Sequence, residues 1–189
     1  ISTFAPGEFW DPAVAVRVSK EHDELKRSLD AEGYKVLDAG SLHRSYRELT
    51  QAAKTLRAQG IYALVVFVGT WAYANAIAGA ALEAGVPTIV WGDATPGTCG
   101  LVGSAIAMGG MDEYGLHANL VYGPMDDAQT WTRARMLLDA ACAVGALRGN
   151  VLGVAGGRCM GMLTAVCDPN EVRRKFGVEI DAFEQLAVV

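Results

Sequence analysis

"IYALVVFVGTWAYANAIAGAALEAG", residues 61–85, decides how the rest of the chain is read. Residues 61–68 run without polar interruption and are rich in Val, the pattern of a central parallel strand covered on both faces. Ala dominates from Ala72 to Ala84, which favours a helix, and Gly85 supplies its stop. A strand that feeds directly into a helix is the first half of a parallel crossover. Trp71 stands in the turn between them, where Gly, Ser or Asn would be easier to place. Its ring is either packing material or the wall of a site.

The same alternation extends in both directions. "ISTFA" (residues 1–5) reads as a short strand, and Asp11 with Pro12 as N-cap and first residue of a helix. Val14, Val18, Leu25 and Leu29 follow at helical spacing until Gly33. "YKVLDAG" (34–40) predicts a second strand, and Ser45 with Glu48 forms the capping box of a helix ending near Gly60. "VPTIVWG" (86–92) is the next strand, with Pro87 near its start, where a missing N–H is tolerated. Leu101 to Met108 predicts a helix, "ANLVYG" (118–123) a strand and Asp126 to Leu147 a long helix. Each strand precedes a helix, so the fold class expected is α/β with an open, doubly wound parallel sheet.

After "LRGN" (147–150) the pattern restarts with the strand "VLGVAG" (151–156) and a glycine-rich loop. A helix between Asp168–Pro169 and Gly177 and a strand at "VEI" (178–180) follow. The boundary is placed near 149, giving one domain over 1–149 and the start of a second, similar one over 150–189. Roughly 40 residues are too few for a core that stands alone. A start at Ile1 inside one apolar run and a stop at Val189 inside another predict a piece of a longer chain, with further domains or partner copies completing it.

Charge and composition narrow the function. A net charge of -5 and the lack of any dense Lys/Arg run argue against nucleic acid. No apolar run reaches the ~20 residues of a membrane span, and no signal peptide is visible, so a cytoplasmic protein is expected. Cys99, Cys142, Cys159 and Cys167 show no CxxC spacing and read as reduced, structural thiols.

In such sheets, ligands bind beyond the carboxyl ends of the strands. Trp10, Trp71 and Trp91 are each read at the carboxyl end of a predicted strand, whereas Trp131 falls in a helix. Rings there can simply cap the core. Set beside Glu8, Thr70, Asn75 and Asp93, three of them also suit a polyol, which stacks its C–H faces and directs hydrogen bonds from its hydroxyls. The run "GVAGGRCMGM" (153–162), with Asp181 beyond it, departs from the GxGxxG spacing of nucleotide loops and reads better as a tight turn. Arg158, Met160 and Met162 are unusual in a pure turn and could face a substrate. His22, His43 and His117 are isolated and read as solvated residues, not metal ligands. "VGS" (102–104) lacks the rest of a nucleophile elbow, and Asp112–Glu113 and Asp126–Asp127 read as surface or capping acids. No catalytic residue and no metal ligand is assigned to this chain.

The stretches "VGTWAYANA" (68–76), "PTIVWG" (87–92) and "LRGNVLGVAGGRCMGMLTAVCDPNEVRRKFGVEIDAFEQL" (147–186) resemble the N-terminal half of the L-fucose and L-arabinose isomerase family. The resemblance runs over most of the chain and is strongest from Leu147 to Leu186. It implies an aldose–ketose isomerase of three domains, the first two flavodoxin-like, assembled as a homo-oligomer with sites between subunits. A manganese ion would be held by two carboxylates and a histidine in a later region, so this chain alone would bind no metal and be inactive. It further implies that Trp71 stacks on a monosaccharide bound mainly by another chain, with Met160 approaching from the second domain. Trp10 and Arg17 join them as candidate substrate contacts. Two other classes stay open: a sugar-binding or regulatory module without catalysis, and a structural subunit completing an enzyme on a separate polypeptide.

Overall fold

The computed structural model describes residues 2–4, 12–40, 42–158, 160, 162 and 166–184 of the chain. It divides into two compact units, residues 1–142 and 143–189. The first contains a sheet of β1 (Ser2–Phe4), β2 (Leu64–Val68), β3 (Thr88–Gly92) and β4 (Ala118–Tyr122). These strands lie side by side in chain order and all run parallel, with Thr3 opposite Phe67, Val66 opposite Val90 and Val90 opposite Leu120.

Helices α1 (Pro12–Ala31), α2 (Tyr46–Ala58), α3 (Ala74–Ala84), α4 (Gly100–Glu113) and α5 (Ala128–Leu147) supply the layers. Strand parity sorts the core into two halves. Leu64, Val66, Val68 and Val90 pack with Leu49, Leu56, Ile77 and Met111 from α2, α3 and α4. Val65, Phe67, Ile89, Trp91 and Val121 pack with Val18, Leu25 and Leu29 of α1 and Ala134 and Leu138 of α5. All five residues of β2 are buried, because each face of that strand has its own helices to meet. Full burial of side chains of this size contributes roughly 1.5–3 kcal/mol each, which makes the 64–68 run the centre of the unit.

The local signals read from sequence act as expected at several places. The hydroxyl of Ser45 accepts the Glu48 N–H at 3.3 Å, while the Glu48 carboxylate accepts the N–H of Arg44 at 2.7 Å, closing the box one residue further out than the usual pattern. Gly85 ends α3 at φ +65°, a conformation costly for residues with a Cβ. Asp127 takes the Thr130 N–H and hydroxyl at 2.7 and 2.8 Å at the head of α5, the capping role expected for an acid there. α3 starts at Ala74, two residues later than its apolar run. The N-cap expected at Asp11 lies outside the described residues.

One expected strand is absent. Residues 34–40 form no ladder, although they do alternate: Tyr34 and Val36 meet the α1/α5 half of the core, Leu37 and Ala39 the other. Among the described residues the neighbour they would pair with, β1, has three in strand form, and the His43 N–H donates to the Thr3 carbonyl at 2.9 Å. The burial pattern is that of a strand, without the hydrogen bonds.

In the second unit β5 (Val151–Ala155) and β6 (Glu179–Phe183) pair in parallel, with α6 (Pro169–Phe176) between them in the chain. Asp168 caps α6 by accepting the Asn170 N–H at 2.8 Å, and Gly177 closes it. All five residues of β5 are exposed, and α6 buries none of its own.

Candidate functional site

The carboxyl ends of β2 and β3 are followed by Gly69–Thr70–Trp71 and Asp93–Ala94–Thr95, and α1 crosses above them. A Cβ at residue 69 would lie 2.3 Å from Val18, so only glycine lets the helix come this close to the backbone. That approach brings Nη2 of Arg17 to the Gly69 carbonyl at 2.9 Å. Nη1 of Arg17 donates to Glu21, one turn along, at 2.7 Å, and to the Asp93 carboxylate. The other oxygen of Asp93 accepts the Thr95 N–H at 2.8 Å, and the Thr95 hydroxyl donates to Glu21 at 3.2 Å. Burial, with the nearby Asp93 charge, raises the pKa of Glu21 above its ordinary value against the opposing pull of Arg17 and Thr95.

Beside this network lies a cleft of about 360 Å³ whose walls include Arg17, Thr70, Trp71, Thr95, Thr98 and Cys99. Trp71 is half-buried there, although Ala72 beside it is only 1% exposed. The turn is held from below by α4: a Cβ at Gly103 would lie 2.8 Å from the Ala72 nitrogen and the Thr70 carbonyl oxygen. The Thr70 hydroxyl donates to the Trp71 carbonyl at 3.2 Å. Cys99, at the head of α4, adopts φ +61°, an uncommon conformation for a side-chain-bearing residue and one that tends to cluster at sites. A second cleft of about 370 Å³ adjoins the first through Thr95 and Pro96 and is lined by Glu21, Glu24, Asp93 and Asp126. An indole face, hydroxyls and a guanidinium with spare N–H groups make a surface for stacking and hydrogen bonding, with no nucleophile–base pair along it.

Of the residues singled out from sequence, Arg17 and Trp71 meet in one cleft. Met160 belongs to the second unit, where it is 91% exposed at φ +51°. Trp10 and Glu8 lie outside the described residues, as do Cys159 and Gly161 of the glycine-rich run. Asn75 is exposed in the first turn of α3. Trp91 is not a rim residue: it sits within β3, is 0% exposed, and packs its ring 5.2 Å from that of Trp131 at 58°. Strand parity sends it to the α1/α5 half of the core with Ile89, so it only backs the second cleft. Trp131 donates its indole N–H to the Met125 carbonyl.

Two of the histidines also differ from expectation, whereas His117 is exposed. His22 is 5% exposed, and it contacts the Thr3 hydroxyl through Nδ1 and Asp38 through Nε2 at 3.1 Å. Its place four residues after Val18 and three before Leu25 put it on the buried stripe of α1, a signal present in the sequence. Burial would raise the pKa of Asp38, but the Gly40 N–H, Lys26 and His22 outweigh it and the group lies below its ordinary value. His43 keeps Nε2 buried without a hydrogen-bond partner, and burial lowers its pKa.

Sequence reasoning missed the joint role of Glu21 and Asp93. The Arg17–Glu21 spacing hinted at a pair, but Asp93 is 76 positions from Arg17. Among the described residues no three His, Cys, Asp or Glu side chains come together to hold a metal ion. None of the described helices is long and apolar enough to cross a membrane. No curated protein matches the chain. Residues 14–149 match the family model described as L-fucose isomerase, first N-terminal domain.

Proposed function

The chain belongs to the L-fucose isomerase family, and from that premise we propose that it supplies one wall of a monosaccharide pocket in an aldose–ketose isomerase. Trp71 stacks on the C–H face of the sugar while Arg17 and the threonine hydroxyls take its hydroxyl groups. The single observation supporting this is the half-buried indole in a cleft shared with Arg17 at the carboxyl ends of β2 and β3. Met160 and Trp10 remain part of the proposed contact set.

The family's chemistry calls for a divalent ion, manganese by resemblance, to polarise the carbonyl and hydroxyl between which a proton moves. The described residues do not suit that ion, since the carboxylates nearest the cleft, Asp93 and Glu21, are engaged by Arg17. We therefore assign the metal and the proton-transfer groups to a further region or a partner copy. This chain would bind, orient and shield the sugar. The reading includes a domain boundary at 149, where the family match stops, a homo-oligomeric assembly and a cytoplasmic location, without nucleic-acid or membrane partners. The net charge of -5 is in keeping with a small neutral ligand.

Calorimetric titration of the chain with pentoses and deoxyhexoses, with and without manganese, tests the division of labour. The proposal expects little binding by this chain alone in either condition. Tight metal-independent binding would instead make it a sugar-binding or regulatory module. In the complete enzyme, Trp71→Ala should weaken transition-state binding, read from kcat/KM, by about 1–3 kcal/mol. Unchanged kinetics with intact folding would return the ring to a packing role.

A further inference from the structure

We infer that Asp93 is a positioning residue: its buried carboxylate, together with Glu21, holds the Arg17 guanidinium in one orientation at the wall of the Trp71 cleft. The inference rests on the reading of that cleft as a sugar wall.

Asp93 is 5% exposed, and both of its oxygens are engaged, one by Arg17 and one by the Thr95 N–H. It is thus poorly placed to take a sugar hydroxyl itself. Its backbone is anchored more firmly than that of an ordinary loop residue. The Asp93 N–H donates to the Val68 carbonyl at 3.0 Å, carrying the β2–β3 ladder one step past β3. A Cβ at Gly100 would lie 2.3 Å from the Asp93 carbonyl oxygen, so the head of α4 packs directly on it. The carboxylate is therefore fixed by the sheet, and Arg17 is fixed by the carboxylate.

A free arginine side chain has several rotatable bonds to freeze on binding a ligand. Here Glu21, Asp93 and the Gly69 carbonyl fix the guanidinium on folding, so a ligand meets a donor already aimed. Two carboxylates also offset its single positive charge. What is left for the cleft is directional N–H donation, not a free cation.

The test uses the complete enzyme and a double-mutant cycle. Asp93→Asn keeps the shape of the side chain and an acceptor for Thr95 but removes the charge holding Arg17. It should raise KM for the sugar about tenfold while kcat stays within about twofold. Arg17→Met should raise KM to a similar degree, and Asp93→Asn should then add nothing in the Arg17→Met background. An equal KM rise from Asp93→Asn in both backgrounds would overturn the inference, because the carboxylate would be acting without the guanidinium. If Arg17→Met leaves KM unaltered in a folded enzyme, the sugar-wall reading fails and takes this inference with it. Should Asp93→Asn not fold, Glu21→Gln probes the same arrangement from its more exposed side. It should raise KM about threefold, again only when Arg17 is present; a rise that persists without Arg17 would count against the proposal.

Discussion

Strands β2 and β5 are both apolar runs of five residues, LVVFV and VLGVA, yet the first is buried along its whole length and the second exposed along its whole length. The difference lies in what covers them. β2 has strands on both sides and helices on both faces, whereas among the described residues β5 has β6 on one side and α6 buries none of its own. An apolar run shows what a strand can tolerate, and its neighbours decide what it contributes to stability.

The comparison can be broken most directly by truncation. Phe67→Ala should cost about 3–5 kcal/mol in urea unfolding of the first unit, since the ring is 0% exposed in a two-sided core. Val151→Ala in β5, at a residue 62% exposed, should change stability by less than about 0.5 kcal/mol. Comparable losses at the two positions would mean that β5 is covered in the working protein. Polar groups sharpen the contrast next. Asp38→Ala should destabilise the first unit by about 1–3 kcal/mol, because it leaves the Nε2 of buried His22 without its partner. A loss near zero would place His22 among the solvated histidines after all. Cys99→Gly should raise stability by about 1 kcal/mol, by relieving the left-handed backbone at the head of α4. No gain would mean that the loop holds no strain there.

The smallest effect is the response to acid. His43 has a folded pKa below the ordinary 6.5, so between the two values the unfolded chain takes up the proton more readily. Its contribution is complete above pH 6.5 and declines as pH falls through that window. Glu21 acts in the opposite sense: its folded pKa lies above 4.5, and stability gained from its proton uptake grows as pH falls toward that value. Asp38, held below 3.8, loses its contribution only as pH drops under that range. Melting temperatures at pH 7.5 and 5.5 should therefore fall less for His43→Gln than for the unmodified chain. Identical falls would dismiss His43 as the group concerned.

Much of the scaffold was legible because its signals are local. Ser45 with Glu48, Gly85, Asp168 and Gly177 each act within a turn of the chain, and the buried run at 64–68 needs only composition. Residues 34–40 misled because strand-like alternation fixes burial but not ladder formation, which depends on a distant partner. Trp71 and Trp91 looked equivalent from their positions near strand ends. One falls in the turn and one at an inward position of the strand, and parity separates them only when the last strand residue is known. At the candidate site, Trp71 could be found from its awkward place in a turn. The contact between Arg17 and Asp93 could not, because it depends on how α1 lies across the sheet.

Gly103 has a consequence for how this wall can change. α4 grips the main chain at Thr70 and Ala72, on either side of the residue that carries the indole. The location of the wall is therefore set by the main chain beneath residue 71, and a different ring there would change the depth of the wall. Enlarging residue 103 would do the reverse, tilting the whole ledge and spoiling every ring that stood on it.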